Sequence, residues 1–371
     1  MTIDNRRGAK MYPIMSGEKK GASAALTRAA LAALSGVYKS AYEKRMARLQ
    51  KKEKARIDAP VISIGNITVG GTGKTPVCLY LAREFAARGR KVGIATRGYG
   101  REGGGTVLLN DGNEAKSWHN CGDEPMLFAA DPAVHAVGVD INRALAAKEL
   151  VDKAGCDIVL LDDGFQFITL HRDIDILVFD AGNPFGYEKL LPAGLLREPL
   201  SSIARADVFW LAKTDSVSVK QKNEIVGRLA KEQPYKPIVE SHYEPAGFAV
   251  YRQSEIISAD SIESSKALCI SGIGNPEPFE RLIGKLSGTP PLAVRFEDHH
   301  PFGDGELARV EDEAIRAGMD FIVTTEKDAA RLPGHFKPRC KWLVTKIDVK
   351  VTNGADVVER ILTLPENLFR R

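Results

Sequence analysis

Apolar and polar positions alternate along the chain in blocks that predict strands followed by helices. Short apolar runs, such as 59–64 and 158–161, end in glycine or aspartate, as buried strands often do. Apolar residues at helical spacing follow them, for example over 74–88 and 142–154. This alternation predicts an α/β fold with a mostly parallel sheet and helices on both faces. Polar side chains that bind ligands are then expected at the carboxyl ends of the strands.

The pattern divides the chain into four segments. Residues 1–20 are polar and predict a mobile extension, and residues 21–56 predict a helix. The α/β core is expected over 57–217. A polar stretch near 215–240 marks a break, after which 218–371 predicts a smaller second α/β domain. For the last helix of this segment, packing against the α/β core of 57–217 is an alternative.

The helix predicted over 21–56 combines an apolar stripe with dense positive charge. Residues 1–56 contain 14 Lys and Arg against 4 Asp and Glu, a net charge of +10, whereas the rest of the chain carries −6. An apolar stripe beside a basic face is typical of an amphipathic helix at an anionic membrane surface. The alternative is a helix that packs on its own domain and leaves a solvated basic face. The stripe residues are Leu26, Ala29, Ala30, Leu34, Val37, Tyr38 and Ala41.

Composition excludes several classes of protein. With 371 residues, 44% of them hydrophobic and 27% charged, the chain suits a soluble globular protein. Five scattered cysteines without a CxxC pair argue against a disulfide framework or a zinc site and favour a reducing compartment. No uncharged run is long enough to span a bilayer and no signal-peptide layout is present, so we expect a cytoplasmic protein. Aromatic residues do not alternate with the basic ones, so no nucleic-acid partner is expected.

A glycine-rich loop between a predicted strand and a predicted helix is the strongest motif. Such a loop, a P-loop, directs backbone N–H groups and a helix N-terminus at phosphate oxygens. Lys74 is expected to reach the β- and γ-phosphates of a nucleotide, and the Thr75 hydroxyl is expected to bind Mg²⁺. Thr68 stands where the strict P-loop pattern has a glycine. The expected nucleotide-binding residues are Thr68, Val69, Gly70, Gly71, Thr72, Gly73, Lys74 and Thr75.

Two further strand ends carry candidate chemistry. Asp162 and Asp163 follow an apolar run, and carboxylates at such a position can hold Mg²⁺ or its waters. The alternative is that Asp163 only caps the next turn. The segment 213–215 (Lys-Thr-Asp) is similar to the guanine-reading tail of GTPases, but Ala212 stands where that tail has Asn or Thr. A GTP switch is therefore disfavoured.

Several motifs, taken together, resemble the tetraacyldisaccharide 4′-kinase family, also called the lipid A 4′-kinases. They run in order through the chain between about 22 and 335, whereas residues 1–20 show no resemblance. The motifs are 61–76 (VISIGNITVGGTGKTP), 96–100 (TRGYG), 121–125 (CGDEP), 161–166 (LDDGFQ), 171–176 (HRDIDI), 192–199 (PAGLLREP), 298–300 (DHH) and 325–329 (TEKDA). In the 192–199 motif, Leu195 departs from the Pro that the family pattern leads us to expect.

The resemblance implies a Mg²⁺-dependent kinase. Such an enzyme transfers the γ-phosphate of ATP to the 4′-hydroxyl of a tetraacylated glucosamine disaccharide 1-phosphate, a step of lipid A biosynthesis. It acts as a peripheral protein at the cytoplasmic face of the bacterial inner membrane. The substrate lies in a bilayer and carries a phosphate, which suits the basic helix. We expect a monomer.

The resemblance also implies roles for individual residues. Lys74 and Asp123 are expected to be catalytic, Asp123 as the base that accepts the proton of the sugar hydroxyl. From the residues alone, a plain helix N-cap is the favoured explanation of Asp123, and only the resemblance reverses this order. His299 is expected to assist Asp123 across an interdomain cleft, with His300 as the alternative. The expected substrate-binding residues are Asn66, Arg97, Arg197 and Glu198.

Two other functions stay open at this point. One is a P-loop enzyme that phosphorylates or ligates a soluble small molecule, for which the basic helix would be incidental. The other is a membrane-docked nucleotide switch that hydrolyses nucleotide slowly and transfers phosphate to no acceptor.

Overall fold

A computed structural model describes residues 2–4, 11–110, 118–253 and 255–363, and the chain forms two compact units. The P-loop unit comprises residues 10–242 and 349–371, and the second unit comprises residues 1–9 and 243–348. The domain boundary predicted at 217/218 is therefore wrong. The polar stretch that suggested it forms a helix whose Leu229 is buried in an apolar cluster of the P-loop unit.

The fourteen strands of the described residues are numbered in chain order. They are β1 (Thr2–Asp4), β2 (Val61–Gly65), β3 (Val92–Thr96), β4 (Val107–Asn110), β5 (Val134–Val139), β6 (Ile158–Asp162), β7 (Ile174–Asp180), β8 (Val208–Ala212), β9 (Ile238–Val250), β10 (Ile256–Ile257), β11 (Ala267–Ser271), β12 (Leu292–Arg295), β13 (Phe321–Thr325) and β14 (Trp342–Asn353).

The α-helices of the same residues are numbered in the same way. They are α1 (Tyr12–Ser16), α2 (Ala22–Gln50), α3 (Lys74–Ala87), α4 (Trp118–Cys121), α5 (Asp123–Ala129), α6 (Arg143–Asp152), α7 (Val219–Glu232), α8 (Glu277–Ser287), α9 (Asp304–Arg316), α10 (Glu326–Ala329) and α11 (Ala355–Leu362). None of them is long and apolar enough to cross a membrane.

The P-loop unit contains the sheet that the sequence pattern predicts. Its strands follow the order β9, β8, β7, β2, β6, β3, β5 and β4, and every pair is parallel except that of β4 with β5. Strands β2 and β6 are buried along their whole length, as expected for a sheet covered on both faces. The carboxyl ends of β2, β3 and β6 therefore lie side by side, which brings their polar residues to one edge.

The second unit contains a smaller parallel sheet. Its strands follow the order β1, β12, β11, β13 and β14. Strand β1, formed by Thr2–Asp4, lies in the segment predicted to be a mobile extension, and so does helix α1. The segments that form β1 and α1 therefore have regular structure, which a mobile extension over 1–20 did not predict. Residues 1 and 5–10 lie outside the described residues.

Helix α2 is the long helix predicted near the N-terminus, and it packs on the P-loop unit through one face. Ala24 and Met46 are its buried residues. The apolar stripe predicted from the sequence lies mostly on the opposite side. Leu26, Leu34 and Val37 are 74%, 55% and 69% exposed. The helix therefore shows apolar side chains that its own unit does not cover.

Candidate active site

The phosphate-binding loop follows β2 and ends where α3 begins at Lys74. The side chain of Asn66, which is fully buried, stabilises this loop through hydrogen bonds on its inner side. The Asn66 amide donates to the Thr68 carbonyl oxygen at 2.8 Å and to Thr72 Oγ1 at 2.9 Å, and its oxygen accepts from Lys74 Nζ at 3.3 Å. Since its side chain is enclosed by the loop, the structure gives Asn66 no surface for the substrate contact that we predicted.

Backbone geometry explains two of the loop's glycines. Gly70 has a φ of 105° and Gly73, directly before α3, has a φ of 94°. Residues with a Cβ rarely adopt such values, so glycine lets the loop turn without strain. The N-terminus of α3 then faces the loop, which favours a bound phosphate.

Asp163 is held between two cations. Its carboxylate lies 3.4 Å from Lys74 Nζ and 2.8 Å from Arg197 Nη1. Burial raises the pKa of Asp163, but the charges of Lys74 and Arg197 outweigh it and hold the pKa well below its usual range. Asp163 therefore stays ionised and fixes the position of both cations.

Asp162 lies in a different environment at the end of β6. It is buried, and its Oδ2 accepts from Thr96 Oγ1 at 3.0 Å, while Oδ1 has no hydrogen-bond partner among the described residues. Burial, with the nearby negative charges of Glu124 and Asp163, raises the pKa of Asp162 to about 7. A buried carboxylate oxygen without a partner is suited to a cation.

The donor set fits a magnesium ion. Asp162 and the Thr75 hydroxyl would hold it, and both are hard oxygen ligands of the kind that Mg²⁺ prefers. No cluster of three or more acidic, His or Cys residues capable of holding a metal occurs in the described part of the chain.

Asp123 is the first residue of α5 and is 3% exposed. Gly122 before it has a φ of 94°, and a Cβ there would lie 2.9 Å from the carbonyl oxygen of Tyr99. The TRGYG and CGDEP motifs are therefore packed against each other, which the sequence did not predict. The Asp123 carboxylate accepts from the Glu124 N–H at 2.9 Å. Glu124, the second residue of α5, carries one of the charges that raise the pKa of Asp162 at the end of β6.

The three arginine and glutamate candidates occupy different positions. Arg97 is exposed directly after β3, where a ligand can reach it. Arg197 faces the P-loop, because its Nε donates to the Thr68 carbonyl oxygen at 2.9 Å and its Nη1 contacts Asp163. Glu198 is fully buried. Its Oε2 accepts from Arg205 at 2.7 Å and from the Tyr42 hydroxyl at 2.8 Å, so the predicted direct contact of Glu198 with substrate does not fit this structure.

The second unit distinguishes His299 from His300. The His300 ring stacks on Phe296 at a centroid distance of 4.6 Å, and its Nε2 lies 2.9 Å from Glu306. His300 is thus part of the unit's own packing. His299 has a φ of 60°, in the left-handed region where histidine is tolerated, and its Nε2 lies 3.3 Å from Lys327 Nζ. Because His300 is held by Phe296 and Glu306, we keep His299 as the candidate histidine.

The structure adds two polar residues that were not among the predicted site residues, although Lys213 was noted in the segment 213–215. Arg143, at the start of α6, is 8% exposed and donates to the Asp163 carbonyl oxygen at 3.3 Å. Lys213 has a φ of 58°, and its Nζ lies 2.5 Å from both the Gly71 carbonyl oxygen and the Asp180 carboxylate. Arg143 follows the turn after β5, and Lys213 directly follows β8. Polar residues after the carboxyl ends of parallel strands are candidates for ligand binding, and this position is the signal that could have identified both.

The family of this chain follows from comparison with known proteins. A family model described as tetraacyldisaccharide-1-P 4′-kinase matches residues 27–365. The chain belongs to this family. The tetraacyldisaccharide 4′-kinase of Anaeromyxobacter sp. (strain K) is 39% identical over 310 residues, covering 83% of this chain and 82% of the relative. The one of Geobacter sulfurreducens is 33% identical over 346 residues, covering 92% and 95%.

A solved structure supports the same assignment. LpxK from Aquifex aeolicus, crystallised in complex with ATP, superposes with a TM-score of 0.69 at 28% sequence identity. The match covers 92% of this chain and 99% of that one. Both the family and the mostly parallel α/β fold predicted from the motifs are thus confirmed.

Proposed function

We propose that this chain transfers the γ-phosphate of ATP to the 4′-hydroxyl of a tetraacylated glucosamine disaccharide 1-phosphate. The observation that carries the proposal is the cluster at the edge of the P-loop unit's sheet. There Lys74 and Arg197 flank Asp163, and the neighbouring Asp162 is buried, with one carboxylate oxygen that accepts no hydrogen bond from the described residues. Membership of the kinase family supports this acceptor over a soluble one.

The nucleotide side of the reaction uses positioning and charge. The backbone of residues 68–75 would bind the phosphates, and Lys74 would neutralise the charge that develops during transfer. Asp163 keeps Lys74 and Arg197 in place. When bound at Thr75 and Asp162, Mg²⁺ supplies further charge neutralisation and orients the phosphates.

The acceptor side needs a group that takes the proton of the sugar hydroxyl. Asp123 is proposed for this role because it is a buried carboxylate at the start of α5, next to Glu124, whose charge acts on Asp162 at the end of β6. His299 is proposed to assist it. Arg97, exposed beside the same motif, suits the anionic phosphate of the lipid. Arg197 and Glu198 are reassigned from lipid binding to the organisation of the P-loop.

Helix α2 is proposed to dock on the membrane that holds the substrate. Its exposed Leu26, Leu34 and Val37 have no cover from the P-loop unit, and the segment through residue 56 is rich in lysine and arginine. Apolar side chains can enter the acyl boundary while lysines bind anionic head groups. We propose a peripheral, monomeric protein at the cytoplasmic face of the bacterial inner membrane.

The direct test is phosphate transfer in detergent micelles. Purified protein is incubated with γ-labelled ATP, Mg²⁺ and the tetraacylated disaccharide 1-phosphate, beside Lys74→Ala and Asp123→Asn. We expect label in the lipid, with the rate falling about 100-fold or more in each variant. Asp215→Asn, at an exposed aspartate, is the matched control for Asp123→Asn and should keep full activity.

Other outcomes separate the remaining functions. Label released only as free phosphate by folded protein would indicate a nucleotide switch. Label transferred to a soluble sugar but not to the lipid would indicate a soluble acceptor. Either result would contradict the proposal.

A further inference from the structure

One face of helix α2 carries three hydroxyl side chains that bind the same loop of the P-loop unit. Ser35 Oγ donates to the Leu190 carbonyl oxygen at 2.9 Å and accepts from the Ala193 N–H at 3.0 Å. Two tyrosines on the same face, Tyr38 and Tyr42, continue the row at helical spacings of three and four residues. The helix is therefore fixed to residues 190–202 by polar contacts rather than by apolar packing alone.

The tyrosines contact two consecutive residues of this loop, Arg197 and Glu198. Tyr38 donates to the carbonyl oxygen of Arg197 at 2.8 Å. Tyr42 donates to Glu198 Oε2 at 2.8 Å, and Arg205 donates to the same oxygen at 2.7 Å. The other carboxylate oxygen of Glu198 has no hydrogen-bond partner among the described residues. A buried carboxylate with so few donors depends strongly on each one that it has.

The opposite side of this loop is joined to the P-loop. The Arg197 N–H donates to the Ile67 carbonyl oxygen at 2.7 Å, and the Val69 N–H donates to the Leu195 carbonyl oxygen at 2.8 Å. The Arg197 side chain then reaches Thr68 and Asp163. A chain of direct contacts thus runs from Tyr38 and Tyr42 to the group that holds Asp163 in place.

We propose that Tyr38 and Tyr42 are positioning residues for phosphate transfer. By holding the backbone of Arg197 and the carboxylate of Glu198, they set the Arg197 guanidinium against Asp163 and the P-loop. The helix that presents apolar side chains outward thereby also determines the geometry of the phosphate site. This inference rests on the proposed function in that phosphate transfer is its first readout.

The first experiment compares Tyr42→Phe and Tyr38→Phe with wild type in the micelle assay. Tyr235→Phe, whose side chain is 97% exposed in the same unit, is the matched control and should be unchanged. We expect Tyr42→Phe to lower kcat about tenfold with KM for ATP and lipid within about twofold, since an interaction that acts in the transition state lowers kcat. Raised KM for the lipid with unchanged kcat would overturn the inference, because the helix would then only capture substrate.

The second experiment asks whether Tyr42 acts through Arg197. Tyr42→Phe is combined with Arg197→Ala, and the loss from Tyr42→Phe should disappear in that background. An equal tenfold loss in both backgrounds would indicate general destabilisation and overturn the inference. Should Tyr42→Phe fold poorly, Tyr38→Phe, which loses one hydrogen bond to a backbone carbonyl, takes its place in the same cycle.

The two proposals fail separately. The positioning role alone is contradicted if wild-type protein phosphorylates the lipid and the effects of Tyr42→Phe and Arg197→Ala on kcat are additive. Wild-type protein that phosphorylates no lipid contradicts the proposed function. In that event the Tyr42→Phe and Arg197→Ala cycle is measured on the basal release of phosphate from ATP. Non-additive effects of the two substitutions on this rate still support the positioning role, and additive effects still overturn it.

Discussion

Asp162 and Asp163 are neighbours in sequence but differ in their electrostatic surroundings. Asp163 contacts the cations Lys74 and Arg197 and stays ionised. Asp162 is buried beside other negative charges, and its pKa is raised to about 7. The ionised carboxylate of Asp163, bound by two cations, suits a structural role. The buried carboxylate of Asp162, one oxygen of which has no hydrogen-bond partner among the described residues, suits the binding of a metal ion. We therefore propose Asp162 as the direct magnesium ligand.

The raised pKa gives a stability prediction for Asp162→Asn in metal-free protein. The unfolded aspartate ionises near pH 4, whereas the folded one keeps its proton to about pH 7. Folding is therefore penalised as pH rises through this window and stays penalised above it. Asp162→Asn removes the penalty, so at pH 8 with chelator its free energy of unfolding should exceed that of wild type by about 4 kcal/mol.

Denaturant melts at pH 5 and pH 8 measure this difference, which should shrink at pH 5. Magnesium-dependent transfer by Asp162→Asn should be lost, because a neutral amide is a poor substitute for a carboxylate ligand. Asp215→Asn, an exposed position, is the control and should change neither property. A variant less stable than wild type at pH 8 would show that burial does not dominate at Asp162.

At the scale of elements, helix α2 has two faces with different chemistry. The inner face uses Ser35, Tyr38 and Tyr42 to bind the P-loop unit. The outer face exposes Leu34 and Val37, which the sequence pattern had assigned to one apolar stripe. The helix therefore packs on its own unit, as one of the two alternatives states, and several of its apolar side chains stay exposed.

The outer face leads to a prediction on vesicle binding. Leu34→Ser with Val37→Ser should weaken binding to anionic vesicles about tenfold or more, because two partly inserted apolar side chains are lost. Flotation with anionic and zwitterionic vesicles measures the effect. Ala25→Ser with Ala32→Ser places the same serines at exposed positions outside the stripe and serves as the control. Equal binding by both double variants would argue against docking through the stripe.

At the scale of the whole molecule, the two candidates for handling the acceptor proton belong to different units. Asp123 lies in the P-loop unit and His299 in the second unit. If both act on the same proton, their contributions cannot be independent. The sequence motifs identify both residues, but motifs do not establish that the residues act together.

A double-mutant cycle tests this cooperation. We expect Asp123→Ala and His299→Ala each to lower kcat about 100-fold or more, and the double variant to be no slower than the slower single one. Steady-state rates of lipid phosphorylation provide the measurement. His335→Ala, at an exposed histidine of the second unit, is the control and should be unaffected. Multiplicative losses would show that the two residues serve separate steps.

The sequence by itself determined the features that depend on local pattern and spacing. Strand and helix alternation gave the parallel sheet, and the glycine-rich loop before Lys74 gave the phosphate site, because a few neighbouring residues define such a turn. The resemblance of ordered motifs gave the family, which the comparisons confirmed.

Only the tertiary structure decided what depends on contacts between distant residues. Burial and neighbouring charges give Asp162 and Asp163 opposite pKa shifts. Burial also encloses Asn66 within the P-loop and places the Glu198 carboxylate against Tyr42 and Arg205. It also assigns α7 to the P-loop unit, although its sequence is polar. The physical reason is that desolvation and pairing of charges depend on which side chains the fold brings together, and such partners lie as far as 271 residues apart, as Arg88 and Glu359 do.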